Sequence, residues 1–239
     1  MFPYKDDNPS ISFPWVTCSI ISLNTVIFFA SVSGGFERFE LIVYGWGFIP
    51  YDLFHGANFY TLFMSMFIHG SFGHLLGNMW MLWIFGDNIE DRMKNPLMFI
   101  GFYLIAGLIA ALAHGVVSTN STIPCVGASG AISGVMGAYL ILYPYAKIRM
   151  LFIFFFYFKT FKIPALIFLV LWIVGQVYDA FHTLGIEGAG IAFFAHIGGF
   201  FAGIILIKLF RKWNWLFFVP IPSREFFFAQ WTPSEEESV

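Results

Sequence analysis

The stretch GASGAISGVMGAYLIL, residues 127–142, decides how the rest of the chain is read. It is an apolar helix that opens on a serine, Ser129. Small residues at Gly130, Gly134 and Gly137, with Ser133 among them, leave one flank nearly bare, so that a neighbouring backbone can approach closely. A lone serine at the mouth of an apolar helix is most simply packing glue. Ser129 is not alone.

The segment AHIGGFFAG, residues 195–203, opens a second apolar helix with His196, again followed by small residues at helical spacing, Gly199 and Gly203. Earlier, HGSFGHLLGN, residues 69–78, sets His74 and Asn78 four residues apart on one helix face. These three segments together resemble the rhomboid family of intramembrane serine proteases. The Gly-x-Ser-Gly motif matches Gly127 to Gly130, the family's histidine with its glycines matches His196, Gly199 and Gly203, and the His-x-x-x-Asn element matches His74 and Asn78. The resemblance runs over roughly residues 58–210. It implies an all-α polytopic membrane protein, a six-transmembrane-helix bundle, with a Ser–His dyad and neither metal nor cofactor. It also implies that His69 orders the loop before the second span and that Glu90 is structural. Two features depart from the family pattern: Ser133 stands where a tyrosine can support the histidine ring, and residues 34–58 hold no match to the family's Trp-Arg element.

Composition agrees with a membrane protein. Of 239 residues 59% are hydrophobic and only 11% charged, with a mean hydropathy of +0.77, which no soluble globular domain shows. A net charge of −2 gives no footing for nucleic acid. Cys18 and Cys125 lie far apart, and a structural disulfide is not expected. No small-residue cleavage site follows the first apolar run, so it reads as a retained span.

In order, residues 1–12 read as a short polar cytoplasmic leader. Residues 13–212 form the six-helix domain, and 213–239 an interfacial and acidic tail. Spans are expected over 13–32, from about Ser71 to the charges Asp87, Glu90, Asp91, Arg92 and Lys94, then 97–117, 127–144, 163–180 and 191–210. The aromatic-rich loop 34–58 and the run 150–158, too short to cross, read as interfacial. With six spans, eleven of the twelve Lys and Arg residues fall on the side of the termini and only Arg38 opposite. By the positive-inside rule both termini are then cytoplasmic, in a plasma (inner) membrane.

This topology sets His74, Asn78, Ser129 and His196 at one depth near the outer face. Polar residues at membrane depth face the bundle interior and mark function. Ser129 reads as nucleophile and His196 as its base. His74, Asn78 and the backbone around Ser129 and Gly130 are the donors for an oxyanion, with His69, Gly127, Gly199 and Gly203 in support. Asp179 is the nearby carboxylate, for which an interfacial role is preferred over a third catalytic place. His55, His114 and His182 read as interfacial. A Gly-x-Ser-x-Gly elbow fails at Ala131 and lacks a preceding strand. A zinc site of His69, His74 and His196 lacks the His-Glu-x-x-His pattern. The expected activity is therefore endoproteolysis of transmembrane or juxtamembrane segments of other membrane proteins near the outer face, with the lipid bilayer as the other partner and oligomeric state unspecified. The rivals are an inactive rhomboid-like client-binding protein, which by the resemblance would lack Ser129 or His196, and a transporter, which calls for charges at the midplane.

Overall fold

Each long apolar run forms a helix in the computed structural model, which describes residues 2–155, 157–183 and 192–213. In chain order these are α1 (Trp15–Val32), α2 (Gly35–Trp46), α3 (Pro50–Phe54), α4 (Thr61–Met64), α5 (Phe72–Met93), α6 (Pro96–Val117), α7 (Ser129–Leu142), α8 (Ala165–His182) and α9 (Phe193–Trp213). Of the described helices α1, α6, α8 and α9 are long and apolar enough to cross a membrane, and α7 is a shorter apolar helix of 14 residues. The boundaries follow ordinary capping. Ser71 accepts the amide of His74 to start α5, and Asn95, followed by Pro96, caps α6. Residues 184–190 of the loop before α9 and the tail beyond Trp213 lie outside the described residues.

α7 is the centre of the bundle, buried from Gly130 to Tyr139. Gly130 and Gly134 face Ala110 and Ala106 of α6, while Gly199 and Gly203 of α9 lie on the carbonyls of Gly130 and Gly134. A methyl group at either α9 glycine would overlap those carbonyl oxygens, so only glycine permits this approach.

Two expectations change. The charges after span two do not stop α5 at its apolar end; it continues to Met93 and closes at Lys94, which is left-handed with φ 52°. The helix tolerates these carboxylates because each has a partner elsewhere. Glu90 accepts the free amides of Val16 and Thr17 at the start of α1, at 2.8 and 2.7 Å, and Asp91 accepts those of Ile11 and Ser12. The loop 34–58, in turn, contains α2 and α3 rather than irregular chain. It is tied to the segment before α7 by paired backbone bonds between Phe48 and Cys125 at 2.9 and 2.7 Å.

The fold is also not purely α. β1 (Phe2–Asp6), β2 (Lys147–Phe154) and β3 (Tyr157–Pro164) form an antiparallel sheet in that order, pairing Phe2 with Leu151, Asp6 with Ile148, and Lys147 with Pro164. The expected interfacial run 150–158 thus holds the end of β2 and the start of β3, and the leader 1–12 supplies the third strand. β2 alternates at its start, with Ile148 and Met150 buried and Lys147 and Arg149 turned outward, which is the period of a strand lying on a core. Asp7 anchors the edge through Arg149 and through Lys162 at 3.0 Å. Asp6 enters the bundle. Its carboxylate accepts the Tyr139 hydroxyl at 2.5 Å and the Asn88 amide at 3.0 Å, beneath the far end of α7.

Burial pushes the Asp6 carboxyl up to about 7, against the opposing hydrogen bond from Tyr139, with Asp87 nearby adding to the rise. A carboxyl raised in the fold stabilises it fully below the unfolded value and loses that contribution as pH rises through about 7. Asp6→Asn, which keeps an acceptor for Tyr139, is therefore expected to gain in melting temperature over wild type between pH 4 and pH 8. A difference that stays constant across that range in detergent melts refutes the assignment. Gly203→Leu is expected to lower the melting temperature by about 5 °C or more, since overpacking against backbone has no rotamer escape; an unchanged melt counts against the close approach of α7 and α9.

Candidate active site

α5, α7 and α9 begin at the same end of the bundle. Their first turns, the end of α6 and the loop 117–127 line a cavity of about 1090 Å³. Ser129 is the first residue of α7, half-buried on the wall of this cavity. His196 stands in the first turn of α9, 67 positions along the chain, with its Nε2 2.8 Å from Ser129 Oγ. The glycine contacts between the two helices bring the pair together.

The imidazole is held on its other side. Nδ1 lies 2.5 Å from Oε1 of Gln176, on α8. Trp172, one turn earlier on that helix, lies 6.0 Å from the ring at 33°, and Phe193 meets it edge-on at 6.4 Å. These groups supply the support that Ser133 does not, since the Ser133 hydroxyl bonds back to the carbonyl of Ser129 at 2.6 Å. Gln176 and Trp172 were not singled out from the sequence. The available signal was a carboxamide amid apolar neighbours, in a span where a polar group needs a reason. Asp179, three residues on, is not the group that reaches His196 Nδ1.

His74 and Asn78 lie across the turn that precedes Ser129. Gly127 has φ +122°, and a Cβ there would stand 2.7 Å from His74 Nε2 and 3.4 Å from Asn78 Nδ2. The position therefore needs glycine for backbone and for space alike. Its amide is fixed to the Ser65 carbonyl at 2.9 Å. Asn78 is 7% exposed, and its Nδ2 is buried without a protein acceptor, a donor left available at the cavity wall. The amides at the start of α7 have no acceptor within their own helix and carry the positive end of its dipole. His69 is buried and packs edge-on against the His74 ring at 5.2 Å. His114, expected at an interface, instead lines the cavity from the last turn of α6. His55 and His182 bond to the carbonyls of Tyr51 and Tyr178 in their own helices.

The stretch that holds the hydroxyl, the imidazole and the spare donors lies within residues 56–213, which match the family model of the rhomboid domain. The chain belongs to the rhomboid family. Among its relatives are Rhomboid protein 1, mitochondrial, of Saccharomyces cerevisiae, 31% identical over 147 residues, and Rhomboid protease GluP of Bacillus subtilis, 33% identical over 128 residues. The human Presenilin-associated rhomboid-like protein, mitochondrial, is 29% identical over 161 residues. The matches cover 59%, 53% and 64% of this chain but only 39%, 24% and 38% of those relatives. The chain thus spans well under half the length of the relatives it matches. It is an integral membrane protein of a family that includes a rhomboid protease.

Proposed function

We propose that this protein is an intramembrane serine endopeptidase that cuts transmembrane or juxtamembrane segments of other membrane proteins. The observation that carries the reading is the 2.8 Å approach of His196 Nε2 to Ser129 Oγ at a wall of the cavity. α1, α5, α6, α7, α8 and α9 are taken as six spans, and both termini as cytoplasmic. The distribution of basic residues supports this, with the cavity then at the outer face.

In this mechanism His196 Nε2 takes the Ser129 proton as Oγ attacks the scissile carbonyl. The negative charge that develops on the substrate oxygen is met by the amides around Ser129 and Gly130 and by Asn78 Nδ2, with His74 beside it. His196 then delivers the proton to the departing amine. An acyl-enzyme remains, and water, activated by the same nitrogen, releases it. The substrate helix must unwind locally, because an intact helix holds each peptide in its own hydrogen bonds. Segments weakened by glycine, proline or small residues are therefore the favoured substrates.

A phosphonate or isocoumarin probe is expected to attach at Ser129 in the purified protein. Ser129→Ala and His196→Ala should each abolish both labelling and cleavage of a transmembrane substrate, with the double variant scarcely worse than either. Activity should survive EDTA and fall on acidification, as His196 gains a proton. Cleavage that persists in pure Ser129→Ala sinks the mechanism, and a wild-type protein that neither labels nor cleaves is the inactive client-binding protein instead. Asn78→Ala is expected to slow cleavage about a hundred-fold while leaving Ser129 competent; a wild-type rate would make Asn78 a packing residue.

A further inference from the structure

The contact between His196 and Gln176 has a chemical consequence beyond packing. A carboxamide oxygen only accepts hydrogen bonds, so the 2.5 Å approach of Oε1 to His196 Nδ1 is a hydrogen bond in the neutral ring when the proton sits on Nδ1. That leaves Nε2, 2.8 Å from Ser129 Oγ, with its lone pair turned to the serine hydroxyl. In the other tautomer Nε2 carries the hydrogen and has no capacity to take one. We propose that Gln176 is the positioning residue of the proposed Ser129–His196 pair, an uncharged third member that selects the tautomer in which His196 is a base.

Three observations support the assignment. The Ser133 hydroxyl does not provide the service, because it is committed to the Ser129 carbonyl. Gln176 and Trp172 are one turn apart on α8, so the ring contact at 6.0 Å and the Nδ1 acceptor act together from one helix face. Trp172 also packs on Phe200 of α9 at 5.9 Å, which fixes that face of α8 against the helix that carries His196. A neutral amide suits a membrane site, since it orients the imidazole without placing a second charge at depth. A carboxylate at this place would instead favour the charged ring.

The inference rests on the protease reading, and the test separates the two. Gln176→Leu keeps the approximate volume and removes the acceptor. Its rate of probe attachment at Ser129 is expected to fall about 10- to 100-fold, the loss of one hydrogen bond to a group that becomes charged. The decrease should appear in kcat, with KM for a transmembrane substrate within about twofold of wild type. Gln176→Glu restores an acceptor and should recover labelling, with the acid limb of its pH profile moved to higher pH. The other titratable groups acting on His196 are His74 of α5 and His114 of α6, present in every variant. The ring-nitrogen shifts of isotopically labelled histidine, with His196 assigned by loss of its signals in His196→Gln, should report Nδ1–H in wild type and a shift toward Nε2–H in Gln176→Leu. Labelling of Gln176→Leu at the wild-type rate with an unchanged tautomer overturns the proposal. Should Gln176→Leu fail to fold, a Gln176→Glu profile with the wild-type acid limb overturns it as well. Wild-type protein that is never labelled at Ser129 removes the protease reading, and this inference with it.

Discussion

Where Gly199 and Gly203 rest on the carbonyls of Gly130 and Gly134, two helices meet backbone to backbone. This contact is intolerant of change, because the atoms that meet have no torsion with which to yield. The first turns of α7 and α9 are set by that contact. Ser129 and His196 are thereby brought to 2.8 Å although β2, β3 and α8 lie between their helices in the chain. α6 closes the other flank of α7 with Ala106 and Ala110, residues small enough to sit against Gly134 and Gly130. In lipid, where burying apolar side chains gives little advantage over leaving them exposed, close packing of this kind is what holds helices together.

A second layer of organisation lies at the opposite end and is polar. The carboxylates of α5 serve as acceptors for amides that no helix or sheet would otherwise satisfy. Glu90 does this for α1 and Asp91 for the chain before it, while Asp6 of β1 accepts from the side chains of Tyr139 and Asn88. Removing a buried acceptor leaves its donors unpaired, which costs about 1–3 kcal/mol each. These charges are structural ties between elements remote in sequence.

The helices and the site were legible for the same reason: each has a local signature. Apolar runs located α1, α6, α8 and α9, the helices long and apolar enough to cross a membrane among the described residues, to within a few residues, and the small-residue spacing around Ser129 and His196 foretold a close contact that the structure contains. What was not legible depends on partners distant in sequence. The run 150–158 alternates like a strand only when Lys147 to Met150 are included, and its third partner is at residues 2–6. The extension of α5 through Asp87, Glu90 and Asp91 makes sense once their amide donors are known. Gln176 looked like any polar residue in an apolar helix, because its acceptor role is defined by a ring twenty positions later.

The seating of β1 on β2 carries a consequence for biosynthesis. Residues 2–6 precede α1, yet their pairing partners, residues 148–151, follow only after α1 to α7 have been made, and the Tyr139 hydroxyl that Asp6 receives belongs to α7 itself. The N-terminal segment must therefore wait while the helices between are laid down, and its docking is among the last long-range contacts to close. A strand made before every helix it crosses becomes the latch on an already assembled bundle.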